Sequence, residues 1–228
     1  MQRKDYIVGG AVLFAFGALM LAPGAMDGFI GLTRKYPYWM SFVKFAILAT
    51  LGECIALRIT TGVYNRPGFG IVPKFFVWGI LGAICKLCFT LFAAGTPVAL
   101  AELGMRFTDP TAFGARFVTA FFISLFLNTL YAPGFMTAHK ISDLHIAKTG
   151  GTLRGFFSTP DIAGLFHSID WRSLWGFVFK KTLPFFWVPA HTITFLLPGH
   201  FQVLFAALLS IALGVILAFA GLRAKKEV

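Results

Sequence analysis

Several ionisable side chains lie inside apolar stretches of this chain. Most other residues of these stretches are apolar and could not take part in catalysis or ion binding. Two lysines and a histidine, Lys180, Lys181 and His191, belong to the stretch FVFKKTLPFFWVPAHTITFLLP at 177–198. Placing a lysine or an aspartate at the centre of a membrane span costs about 2.5–3.5 kcal/mol on insertion scales. Ionisable residues inside spans therefore usually face the interior of a helix bundle or a water-filled cavity, and these three mark a candidate site.

Other polar residues lie at comparable depth in neighbouring apolar stretches and extend this site. We predict one polar chamber lined by Glu53, Lys86, Asn128, Lys180, Lys181, His191 and Thr194. Apart from Lys74 at the edge of its run, the lysines within the predicted spans are Lys44, Lys86, Lys180 and Lys181, so lysines outnumber the single carboxylate, Glu53, by four to one. Such a lining favours anions over cations, and carboxylate or phosphate groups are the expected guests.

The depth of these residues within their spans also predicts an ion pair. Glu53 and the lysine pair each lie five to seven residues from the same end of their spans, so we expect Lys180 or Lys181 to pair with Glu53. Lys180 and His191 are eleven residues apart and would share one face of an ideal α-helix. We expect Lys44 to reach the headgroups. Two other interpretations stay open, namely a pair that only locks the helices together and lysines that all extend to the headgroups.

The composition of the chain predicts the kind of fold that holds these residues in place. Of 228 residues, 57% are apolar and 13% are charged, against roughly 25% charged residues in soluble domains. Several apolar runs reach the 18 to 20 residues that cross a bilayer. The sequence therefore predicts an all-α polytopic membrane bundle, forming a single integral domain over 1–228, and excludes a soluble enzyme. The net charge of +11 lies mostly between the apolar runs, which favours a topology signal over nucleic-acid binding.

Six transmembrane helices are predicted, separated by Gly/Pro-rich turns. Their ranges are 6–22, 39–58, 73–97, 113–137, 174–197 and 201–222. With the N-terminus inside, twelve Lys and Arg residues fall in inner segments and four in outer ones, so both termini are expected inside. A bacterial cytoplasmic (inner) membrane is the predicted location, with an organelle membrane as the alternative.

The long connection at 138–173 contains a helix signal. In STPDIAGLFHSIDW, Thr159 is a candidate N-cap, Pro160 suits the first helical position and Asp161 the first turn. Apolar residues then recur at helical spacing, which predicts an interfacial helix near 160–169.

Two motifs could carry other chemistry. Cys85 and Cys88 form a Cys-x-x-Cys pair near mid-span, where buried thiols are inert, so a packing role is favoured over thiol redox. HKISDLH offers His139, Asp143 and His145, but nearby sequence supplies no fourth zinc ligand. We predict no metal, no cofactor and no catalytic residues.

Residues 187–202, WVPAHTITFLLPGHFQ, resemble the end of a known family. This is the family of the twenty-two-kilodalton peroxisomal membrane protein and its mitochondrial inner-membrane relatives. The matching positions are Trp187, Pro189, Phe195, Pro198 and Phe201. YPYWMSFVKFAILATLGE is similar to the family's early proline-containing helix, with Gly52 and Glu53 at its Gly-Asp. The resemblance implies a pore-like membrane protein and brings no catalytic residues.

These observations predict a membrane channel or carrier for small anionic metabolites. The expected partners are the lipid bilayer, a small anionic solute and other copies of the chain in a homo-oligomer, with no nucleic acid. Two alternatives stay open: a non-catalytic structural or assembly protein, and a thiol-redox enzyme that uses Cys85 and Cys88.

Overall fold

A computed structural model describes residues 2–224, and within that range the chain is helical with no strand. The α-helices are α1 (Arg3–Leu21), α2 (Ala25–Lys35), α3 (Pro37–Thr61), α4 (Ile71–Glu102), α5 (Phe113–Phe126), α6 (Ala132–Lys148), α7 (Leu153–Phe156), α8 (Ile162–His167), α9 (Trp171–Ser173), α10 (Val188–Leu196) and α11 (Gly199–Ala224). Two π-helices, Leu127–Tyr131 and Leu174–Trp187, connect α5 to α6 and α9 to α10.

Five helices of the described chain are long and apolar enough to cross a membrane. They are α1, α3, α4, the continuous run Phe113–Lys148 and Gly199–Phe219 of α11. They coincide with five of the six predicted runs, so the prediction of an all-helical, multi-pass membrane protein is confirmed.

The fifth predicted run, 174–197, does not belong to this set. It forms a continuous helix over Leu174–Leu196, but its lysines, prolines and histidine lower its apolar character. The six-span count and the direction of the termini stay predictions. Lys225 and Lys226, which contribute to the direction argument, lie outside the described residues.

Two helices extend well beyond the apolar runs that predicted them. α4 continues to Glu102, and the fourth run continues through α6 to Lys148. A helix ends where the backbone conformation changes, not where hydropathy falls. α6 ends at Lys148 and is followed by Gly150 and Gly151, both with positive φ. This backbone conformation suits glycine because it has no Cβ.

The helix predicted near 160–169 is shorter than expected. α8 covers Ile162–His167, and Asp161 is its N-cap, with its carboxylate accepting a hydrogen bond from the Gly164 amide at 2.9 Å. Thr159 was therefore the wrong cap, because the aspartate two residues later satisfies the free N–H groups of the first turn.

The core lies where α3 packs between α4 and α11. Glycines bring these helices into close contact, as is usual in membrane bundles. A Cβ on Gly82 of α4 would lie 2.7 Å from the Ser41 carbonyl oxygen, and one on Gly52 of α3 would lie 3.1 Å from the Ile211 Cα. Side chains larger than hydrogen would push these helices apart.

Both π-helices lie beside prolines. Pro133 lies two residues after the end of the first one, Pro184 lies inside the second, and Pro189 lies two residues after its end. Proline lacks an N–H and its ring clashes with the carbonyl four residues earlier. A wider turn relieves that clash, and π-helical turns occur frequently at functional sites.

α1 has no buried residue and is held mainly by polar contacts at its first turn. The Asp5 carboxylate accepts two hydrogen bonds from the Arg58 guanidinium, at 2.7 and 2.8 Å, and one from the Tyr64 hydroxyl at 3.0 Å. Partial burial, together with the hydrogen bond to Asp5, raises the pKa of Tyr64 above its ordinary value.

Candidate functional site: an ion-pair cluster and a cationic cavity

Charged and polar side chains from α3, α4 and α6 meet in one group, which we call the ion-pair cluster: Glu53, Lys74, Trp78, His139 and Asp143. The Lys74 ammonium lies 2.5 Å from Glu53 Oε2 and also contacts Asp143. Trp78 Nε1 donates to Glu53 Oε1 at 2.6 Å, and His139 Nε2 lies 3.3 Å from the same oxygen. Glu53 thus has three partners and Lys74 has two.

Helical spacing explains how the cluster forms. Lys74 and Trp78 are four residues apart on α4, and His139 and Asp143 are four apart on α6, so each pair shares a face. The His139 ring also lies against Trp78, with centroids 4.2 Å apart. α6 supplies its two residues because it continues as a helix past the predicted end of its span.

The predicted partner of Glu53 was wrong. Lys180 and Lys181 are exposed, whereas the ion pairs of Glu53 in the described chain are with Lys74 and His139. The predicted common face of Lys180 and His191 assumed α-helical geometry, but residues 174–187 form a π-helix. Equal depth along two helices also says nothing about which helices are neighbours.

The cluster contains potential metal ligands that already have a cation beside them. Ligand atoms of Glu53, His139 and Asp143 lie within 4.8 Å of one another. The Lys74 ammonium contacts both carboxylates and supplies the positive charge that a metal ion would bring. His145, the other histidine of HKISDLH, lies instead 3.2 Å from the Phe156 carbonyl oxygen.

A second polar region lies at the N-terminal end of α3, and we call it the cationic cavity. Its volume is about 390 Å³, and it is lined by Thr33, Arg34, Pro37, Ser41, Lys86, Gly199, His200 and Val203. None of these lining residues is a carboxylate, and within residues 2–224 neither Arg34 nor Lys86 forms an ion pair. The Lys86 ammonium donates to the Thr90 hydroxyl at 3.0 Å.

Lys44 is covered by α2, which corrects the prediction that it reaches the headgroups. It is 5% exposed, donates to the Thr33 hydroxyl at 2.9 Å and lies 4.5 Å from the centre of the Phe29 ring. The short helix α2, outside the predicted spans, contributes this cover as well as Arg34 of the cationic cavity.

Two of the predicted lining residues lie together in the core, and a third, Thr194, is buried in α10. The Asn128 amide nitrogen lies 3.1 Å from His191 Nδ1, and both residues line a small central cavity of about 60 Å³. Other walls of this central cavity come from Phe45, Trp78, Cys85, Phe89, Tyr131, Trp187, Ala206 and Ser210. Thr194 is fully buried and donates to the Ala190 carbonyl oxygen, one turn earlier in α10.

The structure therefore divides the predicted chamber. Asn128 and His191 share the central cavity, Glu53 belongs to the ion-pair cluster, Lys86 lines the cationic cavity, and the lysine pair is exposed.

Cys85 is buried in the core and Cys88 is half-buried, and both are free thiols. Their burial favours the packing role over redox chemistry.

Sequence reasoning missed Lys74, Trp78, Arg34 and His200. The sequence prediction counts Lys74 and Arg34 only as charges that orient spans, although Lys74 lies one residue inside the predicted span 73–97 and Arg34 five residues before the span 39–58. Long basic side chains at such positions can turn toward the bundle as readily as toward the headgroups.

Comparison with known proteins finds no match: no family model, no curated protein and no solved structure matches this chain.

Proposed function

We propose that the protein is a membrane channel or carrier for small anionic solutes, and that the cationic cavity is where the solute binds. The observation that carries this proposal is a cavity with two cationic side chains and no carboxylate in its described lining. Its volume of about 390 Å³ falls in the range of about 300–1,000 Å³ that small-molecule sites occupy.

The lining has the donors that an anion needs. Arg34 offers a planar fork that suits carboxylates and phosphates, and Lys86 adds a compact charge from α4. Thr33 and Ser41 add hydroxyl groups, and His200 adds a ring nitrogen. Small organic acids and phosphates are the solute class that this set of groups fits.

Three cavities follow one another along α4 and support a transport role. Lys86 lines the cationic cavity, and its neighbour Cys85 and, two turns away, Trp78 both line the central cavity. One turn further, Lys74 lines a third cavity of about 350 Å³ beside Asp143. Two wide spaces on either side of a narrow one of about 60 Å³ are the arrangement expected of a closed carrier or channel.

The predicted direction and membrane are part of the proposal. Basic residues in the connections favour both termini inside the cytoplasmic membrane of a bacterium, with an organelle membrane as the alternative. The resemblance of 187–202 to the family of the peroxisomal membrane protein agrees with a pore-like role.

The experiment is solute flux into liposomes that contain the purified protein, with a panel of organic acids and phosphates. For the solute that is carried, we expect Arg34→Gln combined with Lys86→Gln to reduce flux about tenfold or more, because each charge-assisted hydrogen bond contributes about 1.5–3 kcal/mol. Lys35→Gln is the matched control, because Lys35 neighbours Arg34 but does not line the cavity.

Equal flux through the double variant and the wild type would remove the cationic cavity from the path. Lys180→Gln and Lys181→Gln should leave flux unchanged, since both side chains are exposed and line none of the three cavities.

The ion-pair cluster favours one alternative, a non-catalytic structural or assembly protein. The cluster joins α3, α4 and α6 through Glu53, Lys74 and Asp143, and such a junction serves a rigid scaffold as well as a carrier. Absence of flux for every anion in the panel would favour this alternative.

A further inference from the structure

A further cavity combines two arginines with an apolar floor, and we call it the arginine cleft. Its volume is about 430 Å³, and Arg106 and Arg116 line it together with residues that are all apolar except Thr119. It shares no lining residue with the cationic cavity, the central cavity or the third cavity beside Asp143. The arginine cleft is therefore a separate site that the proposed transport path does not use.

The cleft lies where apolar spans end. On α4 it includes Pro97, the last residue of the predicted span 73–97, and on α5 it includes Arg116, in the first turn of the helix. Arg106 lies in the connection between these two helices. Long basic side chains near the ends of membrane helices reach the headgroup level, so we expect both guanidinium groups there.

The lining becomes apolar with increasing depth. Ile123 lies seven residues after Arg116 on α5, which is about 10 Å further along the helix axis. Ile123, Ala120 and Leu100 are buried, and Phe195 of α10 lines the same cleft. A molecule that lies along the cleft therefore contacts cations at one end and hydrocarbon at the other.

The charge of the cleft is positive. None of its lining residues is a carboxylate, and within residues 2–224 neither arginine forms an ion pair. Asp109, three residues after Arg106, instead accepts hydrogen bonds from the Thr111 amide at 2.8 Å and the Thr111 hydroxyl at 2.6 Å. Arg116 Nη2 donates to the Leu196 carbonyl oxygen at 3.3 Å. This contact holds the guanidinium beside α10 and leaves its other N–H groups to a guest.

The cleft lies at the perimeter of the bundle. Val98 is the neighbour of Pro97 on α4 and is 59% exposed, and Phe117 is the neighbour of Arg116 on α5 and is 46% exposed. Exposed apolar side chains on membrane-spanning helices face lipid. A molecule of the bilayer can therefore enter the cleft from the side.

These features select an amphipathic anion. A small free anion would contact the arginines and leave the apolar floor empty, whereas an uncharged acyl chain would leave the arginines without a counter-charge. A lipid with an anionic headgroup satisfies both, since the arginine fork binds phosphate oxygens with high geometric specificity. We propose that the arginine cleft binds an acidic phospholipid, with its phosphate at Arg106 and Arg116 and an acyl chain along α4 and α5. This proposal does not depend on the proposed transport function.

The experiment is native mass spectrometry of the protein in a non-ionic detergent, titrated with phosphatidylglycerol or with phosphatidylcholine that has the same acyl chains. We expect the first phosphatidylglycerol to bind about tenfold or more tightly than the first phosphatidylcholine. The physical reason is that the choline cation would lie beside two arginines. Equal binding of the two lipids would overturn the proposal.

Matched variants test whether the arginines cause this preference. Arg106→Gln combined with Arg116→Gln should remove most of it. Arg154→Gln combined with Arg172→Gln changes the net charge equally and should keep it, because both side chains are exposed and neither lines the cleft. If the first double variant fails to fold because the contact with Leu196 is lost, Arg106→Gln alone should still weaken phosphatidylglycerol binding about fivefold.

Inorganic phosphate distinguishes a lipid site from a site for free anions. At millimolar concentration it should not displace phosphatidylglycerol, because it cannot contact the apolar floor of the cleft. Displacement by inorganic phosphate would identify a free-anion site and overturn the lipid proposal. An unchanged lipid preference in Arg106→Gln would overturn it as well.

Discussion

The ion-pair cluster and the cationic cavity hold positive charge in opposite ways. In the cluster, Lys74 contacts two carboxylates and its side chain is only 9% exposed. In the cavity, Arg34 and Lys86 share the lining with hydroxyl groups and no carboxylate within residues 2–224. A charge whose partners are built into the protein serves to hold helices together, whereas a charge without one is available to a solute.

The largest expected effect comes from breaking the paired region. Lys74→Met leaves Glu53 and Asp143 close together without the ammonium between them, and removing one partner of a buried pair costs about 3–5 kcal/mol. We expect a loss near 3 kcal/mol, since Glu53 and Asp143 are 22% and 27% exposed and water reduces the repulsion. Denaturant unfolding in detergent measures the change.

Two controls sharpen that result. Lys74→Arg keeps the charge and should retain most of the stability, and Lys140→Met removes an exposed lysine from α6 and should change the stability little. A Lys74→Met protein as stable as the wild type would mean that the cluster does not hold the helices together.

A smaller loss of stability is expected for Gly82→Ala. This variant changes the contact between α3 and α4, the two helices that contribute residues to both regions. The new Cβ would lie 2.7 Å from the Ser41 carbonyl oxygen and would also meet Phe45. Overpacking of this kind typically costs about 1–3 kcal/mol. Because Ser41 lines the cationic cavity, the variant should lower both stability and anion flux, whereas Lys74→Met acts mainly on stability.

The matched control for this change lies on the same helix. A Cβ on Gly95 of α4 would meet no atom within 4 Å, so Gly95→Ala should leave stability and flux close to wild type. Unchanged flux in Gly82→Ala would show that the cationic cavity does not depend on the α3–α4 contact at Gly82.

The smallest effect is expected at a third paired charge, Asp5. Asp5→Asn weakens its contacts with Arg58 and Tyr64, and since α1 buries no residue, the rest of the bundle should keep its unfolding midpoint. Hydrogen exchange should then become faster in α1 alone, with Lys4→Gln as the control. Exchange that becomes faster throughout the protein would show that α1 supports the bundle.

Hydropathy predicted the elements well, but not the neighbours of the charged residues. Five of the predicted spans appear as long apolar helices because a bilayer requires about 20 apolar residues in a row. Glu53, singled out as the carboxylate inside a span, is half-buried and forms ion pairs, and Asn128 and His191 do share a cavity.

The wrong partner for Glu53 has a physical cause. Position along a helix predicts depth, but the contact between Glu53 and Lys74 depends on the packing of α3 against α4 through Gly79 and Gly82. Lys180 was misplaced because Pro184 lies in a π-helix, in which the angle between successive residues differs from the α-helical value. A sequence pattern that assumes regular α-helices predicts neither the packing of α3 against α4 nor the position of Lys180.

The lack of buried residues in α1 has a consequence for how the chain is assembled. α1 precedes α3 in the chain, and Arg58, the partner of Asp5, follows it by 53 residues. The contacts of Asp5 can therefore form only after the end of α3 has been synthesised. Until then α1, which buries no residue, lacks the polar contacts that hold its first turn.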